Sequence, residues 1–425
     1  MQNDQIYFLI TCVAMVLFMT PGLAFFYGGL VRASSVVSMM MMSFGALALV
    51  SILWIAYGYS MAFSGAGTSQ YFGLDGVLGI DLENLFLNKF LDERMSFDLV
   101  FAAFQGTFAV ITVALISGAI ADRARFGSWM VFAGIWATVV YFPIAGWVFN
   151  FTLDDSGAIV DGGWLVKDVG LLDFAGGTVV EVGSGAAALA VALVLGRRFG
   201  FRKGMYAPHN VPLTLIGAAI LWFGWFAFNA GSELAADGVA SLAFLNTLVA
   251  PAAAMLSWAA FERITAGKPT AVGIASAAIA GAVAITPSCA FLDPVWAIVL
   301  GLVVGVVCAW AIELKFVLGF DDSLDVVGIH LVGGVVGTLF IGLFGRGVGL
   351  FFGYGPGQLV AQLIGVLAVG LYSFASAWLI AYAIEKTIGF RVRSTDEEAG
   401  IDPIMHGQLG YHAEDPRWKG ISTPN

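Results

Sequence analysis

Apolar segments close to 20 residues long, the length that carries a helix across a bilayer, follow one another along almost the whole chain. They run Tyr7–Leu30, Val37–Phe63, Leu99–Ile120, Trp129–Phe149, Phe174–Leu195, Val211–Ala230, Val239–Phe261, a short Ala271–Ile285, Val295–Leu314, Ile329–Phe344 and Leu359–Ile384. In hydrocarbon every backbone polar group must bond within its own segment, so such stretches become helices. The reading is an all-α integral membrane protein with eleven transmembrane helices. Composition agrees: 59% of residues are hydrophobic and 11% charged, against roughly 25% charged in soluble domains. No nucleic-acid partner and no cofactor are expected.

Met1-Gln2-Asn3-Asp4 lacks the positive region of a cleavable signal peptide, so the first segment is read as a retained helix. With loops assigned alternately, one side holds 15 of the 19 Lys and Arg residues, from Arg32 through Arg202, Lys203, Arg417 and Lys419; the other holds only Lys89, Arg94, Lys167 and Arg346. Cytoplasmic loops carry the excess, which puts the N-terminus outside and the C-terminus in the cytoplasm. The outer loops are acidic, with Asp75, Asp81, Glu83, Asp92, Glu93 and Asp98 before the third span and Asp154, Asp155, Asp161 and Asp168 before the fifth. Such loops either concentrate cations within a screening length of about 8 Å or are merely solvated. Cys12, Cys289 and Cys308 lack metal-type spacing and read as buried small hydrophobes. Residues 1–388 form one membrane domain and 389–425 a cytoplasmic tail, too short for a separate enzyme or sensor domain.

Glu181 and His330 are the strongly polar, ionisable side chains inside the apolar segments. A carboxylate at the bilayer centre costs roughly 2.5–3.5 kcal/mol even on a lenient scale, so its default reading is a polar pathway. Each stands in a Gly-rich stretch, Val179-Val180-Glu181-Val182-Gly183-Ser184-Gly185 and Gly328-Ile329-His330-Leu331-Val332-Gly333-Gly334. Spans one to five and six to ten therefore read as a five-plus-five inverted repeat with one extra helix, an arrangement that places substrate sites between the halves. Histidine accepts and donates protons near neutrality and suits a relay; a core imidazole with satisfied hydrogen bonds is the plainer alternative. Ser184, Gly185 and Ala188 share a face with Glu181, as close helix packing also requires.

Asp173 and Asp325 each open an apolar helix where a capping residue is needed, worth about 1 kcal/mol. Phe104 and Phe108 stand four residues apart, and Trp225, Phe228 and Ser232 three and then four apart, so each set can share a helical face. They are lipid-facing aromatics, or a cage for a small cation with cation–π attraction near 2 kcal/mol when desolvated.

Four ordered motifs carry a resemblance across nearly the whole chain. They are Pro21-Gly22-Leu23-Ala24-Phe25-Phe26-Tyr27-Gly28-Gly29-Leu30, Asp173-Phe174-Ala175-Gly176-Gly177-Thr178-Val179-Val180, Gly224-Trp225-Phe226-Ala227-Phe228-Asn229-Ala230-Gly231-Ser232 and Asp321-Asp322-Ser323-Leu324-Asp325-Val326-Val327-Gly328-Ile329-His330. The chain resembles the ammonium transporter family with its methylammonium permease and Rhesus branches. The resemblance implies a multi-pass protein of the cell membrane, not an enzyme, assembled as a homotrimer with a pore in each subunit. It implies ammonium recruitment at Phe108, Trp225 and Ser232 supported by Asp173, occlusion by Phe104 and Phe228, and a proton relay through His330 and its partner. Substrates would be ammonium and ammonia, with methylammonium a further candidate. Gly400-Ile401-Asp402-Pro403-Ile404-Met405-His406-Gly407 resembles the family's tail, which couples subunits, and a PII-type regulatory protein is a possible partner. The sequence departs from the family at Glu181, where most members have histidine, and around Asn150–Asp161, an acidic insertion with Phe149 where many relatives have tryptophan. Two rivals remain: a nontransporting ammonium sensor of the same fold, and an intramembrane serine protease built on Ser184 and His330.

Overall fold

The computed structural model describes residues 2–65, 70–92, 96–154, 157–201 and 207–411. Glu93, Arg94, Asp155, Arg202, Lys203, Arg417 and Lys419 lie outside them. Among the described residues, ten helices are long and apolar enough to cross a membrane: α1 (Asp4–Leu30), α2 (Ala33–Ala62), α3 (Phe97–Ile120), α4 (Phe126–Phe149), α5 (Gly177–Leu195), α6 (Val211–Glu233), α7 (Gly238–Thr265), α9 (Pro294–Leu318), α10 (Val327–Phe344) and α11 (Gly357–Thr387). The apolar helix α8 (Ala271–Ile285) has 15 residues, about 22 Å at 1.5 Å per residue, shorter than a hydrocarbon core. It forms where the sequence places the eighth segment, and Thr286 continues its backbone hydrogen bonding.

Two loops carry short hairpins beside the helical bundle. Strands β1 (Tyr71–Leu74) and β2 (Leu78–Asp81) pair antiparallel, as do β3 (Phe151–Leu153) and β4 (Ile159–Gly162). The second hairpin is the acidic insertion. Acidic and turn-forming residues around short alternating runs obscure such hairpins in a hydropathy reading.

Small residues decide how closely the helices approach. A β-carbon added at Gly185 of α5 would overlap the Leu331 backbone of α10, and one at Gly334 would lie 2.8 Å from Glu181 Cβ. The two helices that bear Glu181 and His330 thus cross in backbone contact, as small residues permit in membrane bundles. Gly217 plays the same part between α6 and α1, facing the backbone of Phe26. All three cysteines are buried thiols.

Four helices contain a π-helical turn: Trp54–Gly58, Ala137–Tyr141, Gly177–Val182 and Val327–Leu331. The last two carry Glu181 and His330. A π turn inserts one residue into the helical ladder and re-aims the side chains around it.

Beyond α11 the tail forms two short helices, α12 (Ser394–Ala399) and α13 (Ile401–Met405). Glu397 is buried and accepts hydrogen bonds from Phe199 N (2.5 Å) and Arg391 Nη2 (2.8 Å), while its carbonyl accepts from Arg32 Nη2 (2.5 Å). Asp402 accepts from the backbone N–H groups of Val37 and Ser38 at 2.8 Å each, capping the start of α2. Burial pushes the Asp402 carboxyl up to about 6 from an ordinary 3.8, against the pull of those two donors.

Two outcomes follow. Gly185→Leu forces the α5–α10 crossing apart and destabilises the protein by about 1–3 kcal/mol, read as an earlier loss of monodispersity on heating in detergent. For the tail, the docked state holds the Asp402 proton more tightly than the undocked state. Docking therefore tightens as pH falls from about 7 to about 5, and tryptic cleavage after Arg391 and Arg393, relative to Asp402→Asn at each pH, should slow.

Candidate functional site

Asp173 and Asp322 set the ends of α5 and α10 in matching ways. Asp173 Oδ1 accepts from Gly176 N (2.9 Å) and Gly177 N (2.6 Å), and Oδ2 accepts from Thr178 N (2.8 Å) and the Thr178 hydroxyl. Asp322 accepts from Val326 N (3.1 Å) and Val327 N (2.7 Å). Burial pushes both carboxyls up, Asp322 to about 6, while these donors pull them down. The sequence expectation that Asp325 caps α10 is corrected: Asp325 has φ +64° and pairs with Lys315 Nζ at 2.5 Å. The signal for Asp322 was present, since Asp173 precedes Glu181 by eight residues and Asp322 precedes His330 by eight.

These fixed helix starts bring Glu181 and His330 together. Glu181 is fully buried and His330 is 3% exposed, and His330 Nδ1 lies 2.6 Å from Glu181 Oε2. One proton serves this contact and belongs to either partner. Glu181 Oε1 has no hydrogen-bond partner. Both side chains border a narrow space that is otherwise apolar, walled by Leu23, Phe26, Ile111, Leu115, Leu221 and Ile279 among others. The wall residues come from α1, α3, α6 and α8, and no spacing rule in the sequence joins them.

Phe228 and Trp225 border the same space. The Phe228 ring stacks on Phe108 with centroids 4.1 Å apart and planes 27° apart, whereas Phe104 meets the edge of Phe108 at 4.9 Å. The face-to-face pair is therefore Phe108–Phe228, with Phe104 against its flank; both phenylalanines of α3 face this way, and only the packing distinguishes them. Trp225 lies on the lumen side, its Nε1–H donating to Thr286 Oγ1 at 2.7 Å. Ser232 Oγ donates to Phe228 O at 2.8 Å, which leaves its lone pairs as acceptors beside the aromatic pair. Phe149 stands at the start of α5, its ring 3.7 Å from the β-carbon position of Gly176. Among the described residues no group of three or more His, Cys, Asp or Glu is placed to hold a metal ion.

The Ammonium Transporter Family model matches residues 7–411. The chain belongs to the ammonium transporter family. It is 48% identical over 423 residues to an ammonium transporter of Mycobacterium tuberculosis, covering 94% of this chain and 88% of the relative. It is 40% identical over 416 residues to ammonium transporter Amt1 of Archaeoglobus fulgidus, covering 97% of this chain and all of the relative. Among solved structures it superposes on a Sensor Amt Protein with a TM-score of 0.86 at 29% identity (94% and 97% covered) and on Saccharomyces cerevisiae Mep2 with 0.82 at 33% (92% and 88% covered). This family member is thus a multi-pass membrane protein whose relatives are named as transporters, not enzymes. Ser184 Oγ donates to the Glu181 carbonyl at 3.3 Å, so that hydroxyl is turned to its own helix and not to His330, contrary to a serine–histidine dyad.

Removing the Asp173 carboxylate strands several buried donors at about 1–3 kcal/mol each. Asp173→Ala should lower the thermal stability of the purified protein sharply, and Asp173→Asn, which keeps one acceptor oxygen, should recover part of the loss.

Proposed function

We propose that the protein takes up ammonium from the outer side, removes its proton and conducts ammonia through the apolar lumen while Glu181 and His330 relay the proton. The observation that carries this reading is the 2.6 Å contact between two titratable side chains in an otherwise apolar cavity. Ammonium is fully hydrated in water, and an apolar lumen has too few acceptors to replace that shell, so the bare ion crosses at a cost of many kcal/mol. Loss of one proton removes most of that cost. Two groups that share a proton titrate as one unit, and among the described residues Glu181 Oε1 has no hydrogen-bond partner.

Recruitment is assigned to Phe108, Trp225 and Ser232, with Phe104 and Phe228 as the gate; the stacking of Phe108 on Phe228 joins the two sets. Asp173 serves by fixing the start of α5. Glu181 takes the place of the first histidine of the usual twin-histidine pair; a carboxylate there provides a proton acceptor of different chemistry at the same point. The matching caps and π turns of α5 and α10 support the five-plus-five inverted repeat with α11 as the extra helix, and α8 as a full eleventh span. The Lys and Arg distribution supports an outer N-terminus and a cytoplasmic tail over 389–425. Assembly as a homotrimer, transport of methylammonium and regulation by a PII-type protein belong to the same proposal on family grounds. A sensor role is the second reading, favoured by the superposition on the Sensor Amt Protein; measurable flux would exclude a nontransporting sensor.

General acid–base groups contribute about 10²–10⁴-fold to the rates they serve. Glu181→Ala and His330→Ala should each lower the ammonium-evoked current of proteoliposomes by about a hundredfold or more while the purified protein stays folded. Glu181→His should retain current with a shifted pH dependence. Unchanged current in both alanine variants would remove the relay.

A further inference from the structure

The back of the relay is open to the membrane. An open groove runs between α5, α10 and α11, and its lining is apolar throughout, with Val182, Ala186, Leu331, Val366, Gly370 and Phe374 contributing. Val182 directly follows Glu181 and Leu331 directly follows His330, so the groove lies behind both π turns at the depth of the relay. Its α11 wall, residues 366–374, brackets the middle of the 31-residue helix Gly357–Thr387. The groove therefore sits at mid-membrane depth.

We infer that this groove is a binding site for a lipid acyl chain, seated against the turns that carry Glu181 and His330. A groove open to the bilayer is filled by what lies beside it, because lining atoms without neighbours forfeit their contacts. Water needs two to four polar partners to stay in such a cavity, and this lining offers none. At this depth the bilayer supplies hydrocarbon only, and α11 is the least covered by the rest of the chain among the ten long spans, with 28% of its apolar window buried against 39–83% in the others. Leu367 and Leu371, 50% and 65% exposed, form the open rim. The seat exists because residue 370 is glycine: an added β-carbon would meet nothing closer than Val182 Cγ1 at 3.4 Å, an ordinary contact. A larger side chain there fills the groove without displacing backbone. A seated chain packs on Leu331, which directly follows His330, and stiffens the turns that hold the pair in contact, which makes bilayer composition a determinant of how the pair is held.

The test is photolabelling in vesicles of phosphatidylcholine and phosphatidylglycerol containing a phosphatidylcholine with a diazirine at the end of one acyl chain. Label is expected on the groove floor at Leu331, which is half-buried, and Val366, which is 8% exposed, both reachable only by a chain that enters. In Gly370→Leu floor labelling should fall about tenfold, equivalent to about 1.4 kcal/mol of lost seating, while labelling at Leu379, on the outward face of α11 and 61% exposed, stays the same and reports an intact fold. Ala186→Leu, which fills the groove from the opposite wall, should give the same loss. A floor without label in the unmodified protein, or labelling that Gly370→Leu and Ala186→Leu both leave unchanged, would overturn the inference. So would disulfide capture of Leu371→Cys by a second copy of the chain, which would make the groove a subunit interface. None of these readouts depends on transport, so failure here leaves the proton relay standing, and failure of the relay leaves the lipid site standing.

Discussion

A carboxyl and an imidazole that touch inside hydrocarbon constrain everything around them. Neither group can be ionised alone at that depth without a large desolvation cost, and neither can be left without a partner. The 2.6 Å contact between Glu181 and His330 meets both demands with one shared proton. It also sets the tolerance of the surrounding structure, because a displacement of an ångström breaks the hydrogen bond. The rest of the bundle can be understood as the means of holding that distance.

Three devices hold it. Buried aspartates fix where α5 and α10 begin, Asp173 with four strong donors and Asp322 with two. π turns aim Glu181 and His330 toward one another. Gly185 and Gly334 allow the two backbones to cross at contact distance, so no intervening side chain separates the pair. The aspartates and glycines are polar or small where a membrane helix would ordinarily be Leu-rich, and all lie within eight residues of Glu181 or His330 in the chain. Outside this region the bundle is ordinary apolar packing, with the rings of Phe108 and Phe228 stacked beside the cavity.

Much of this was legible in the sequence, for a physical reason: hydrocarbon punishes polarity, so a Glu or His inside an apolar run stands out, and so does the Gly-rich surrounding that lets it reach a partner. The segments that became α1 to α11 were visible for the same reason. The capping residue of α10 was misplaced because Asp321, Asp322 and Asp325 are equally acidic, and only backbone geometry separates Asp322, which caps, from Asp325, which turns aside to Lys315. Phe104 and Phe108 share one helical face, so spacing could not say which of them stacks on Phe228. The groove beside Gly370 left no mark in the sequence, because a glycine in an apolar helix is common and its neighbours across the groove come from two other helices.

The claim at the centre is that ammonium delivers its proton to the Glu181–His330 pair. Infrared difference spectra of the protein in lipid, recorded on perfusion with ammonium, test it most directly. The account predicts a change in a carboxyl band that is missing from the same spectrum of Glu181→Gln; a spectrum in which no carboxyl responds, or in which the responding band survives that substitution, would contradict it.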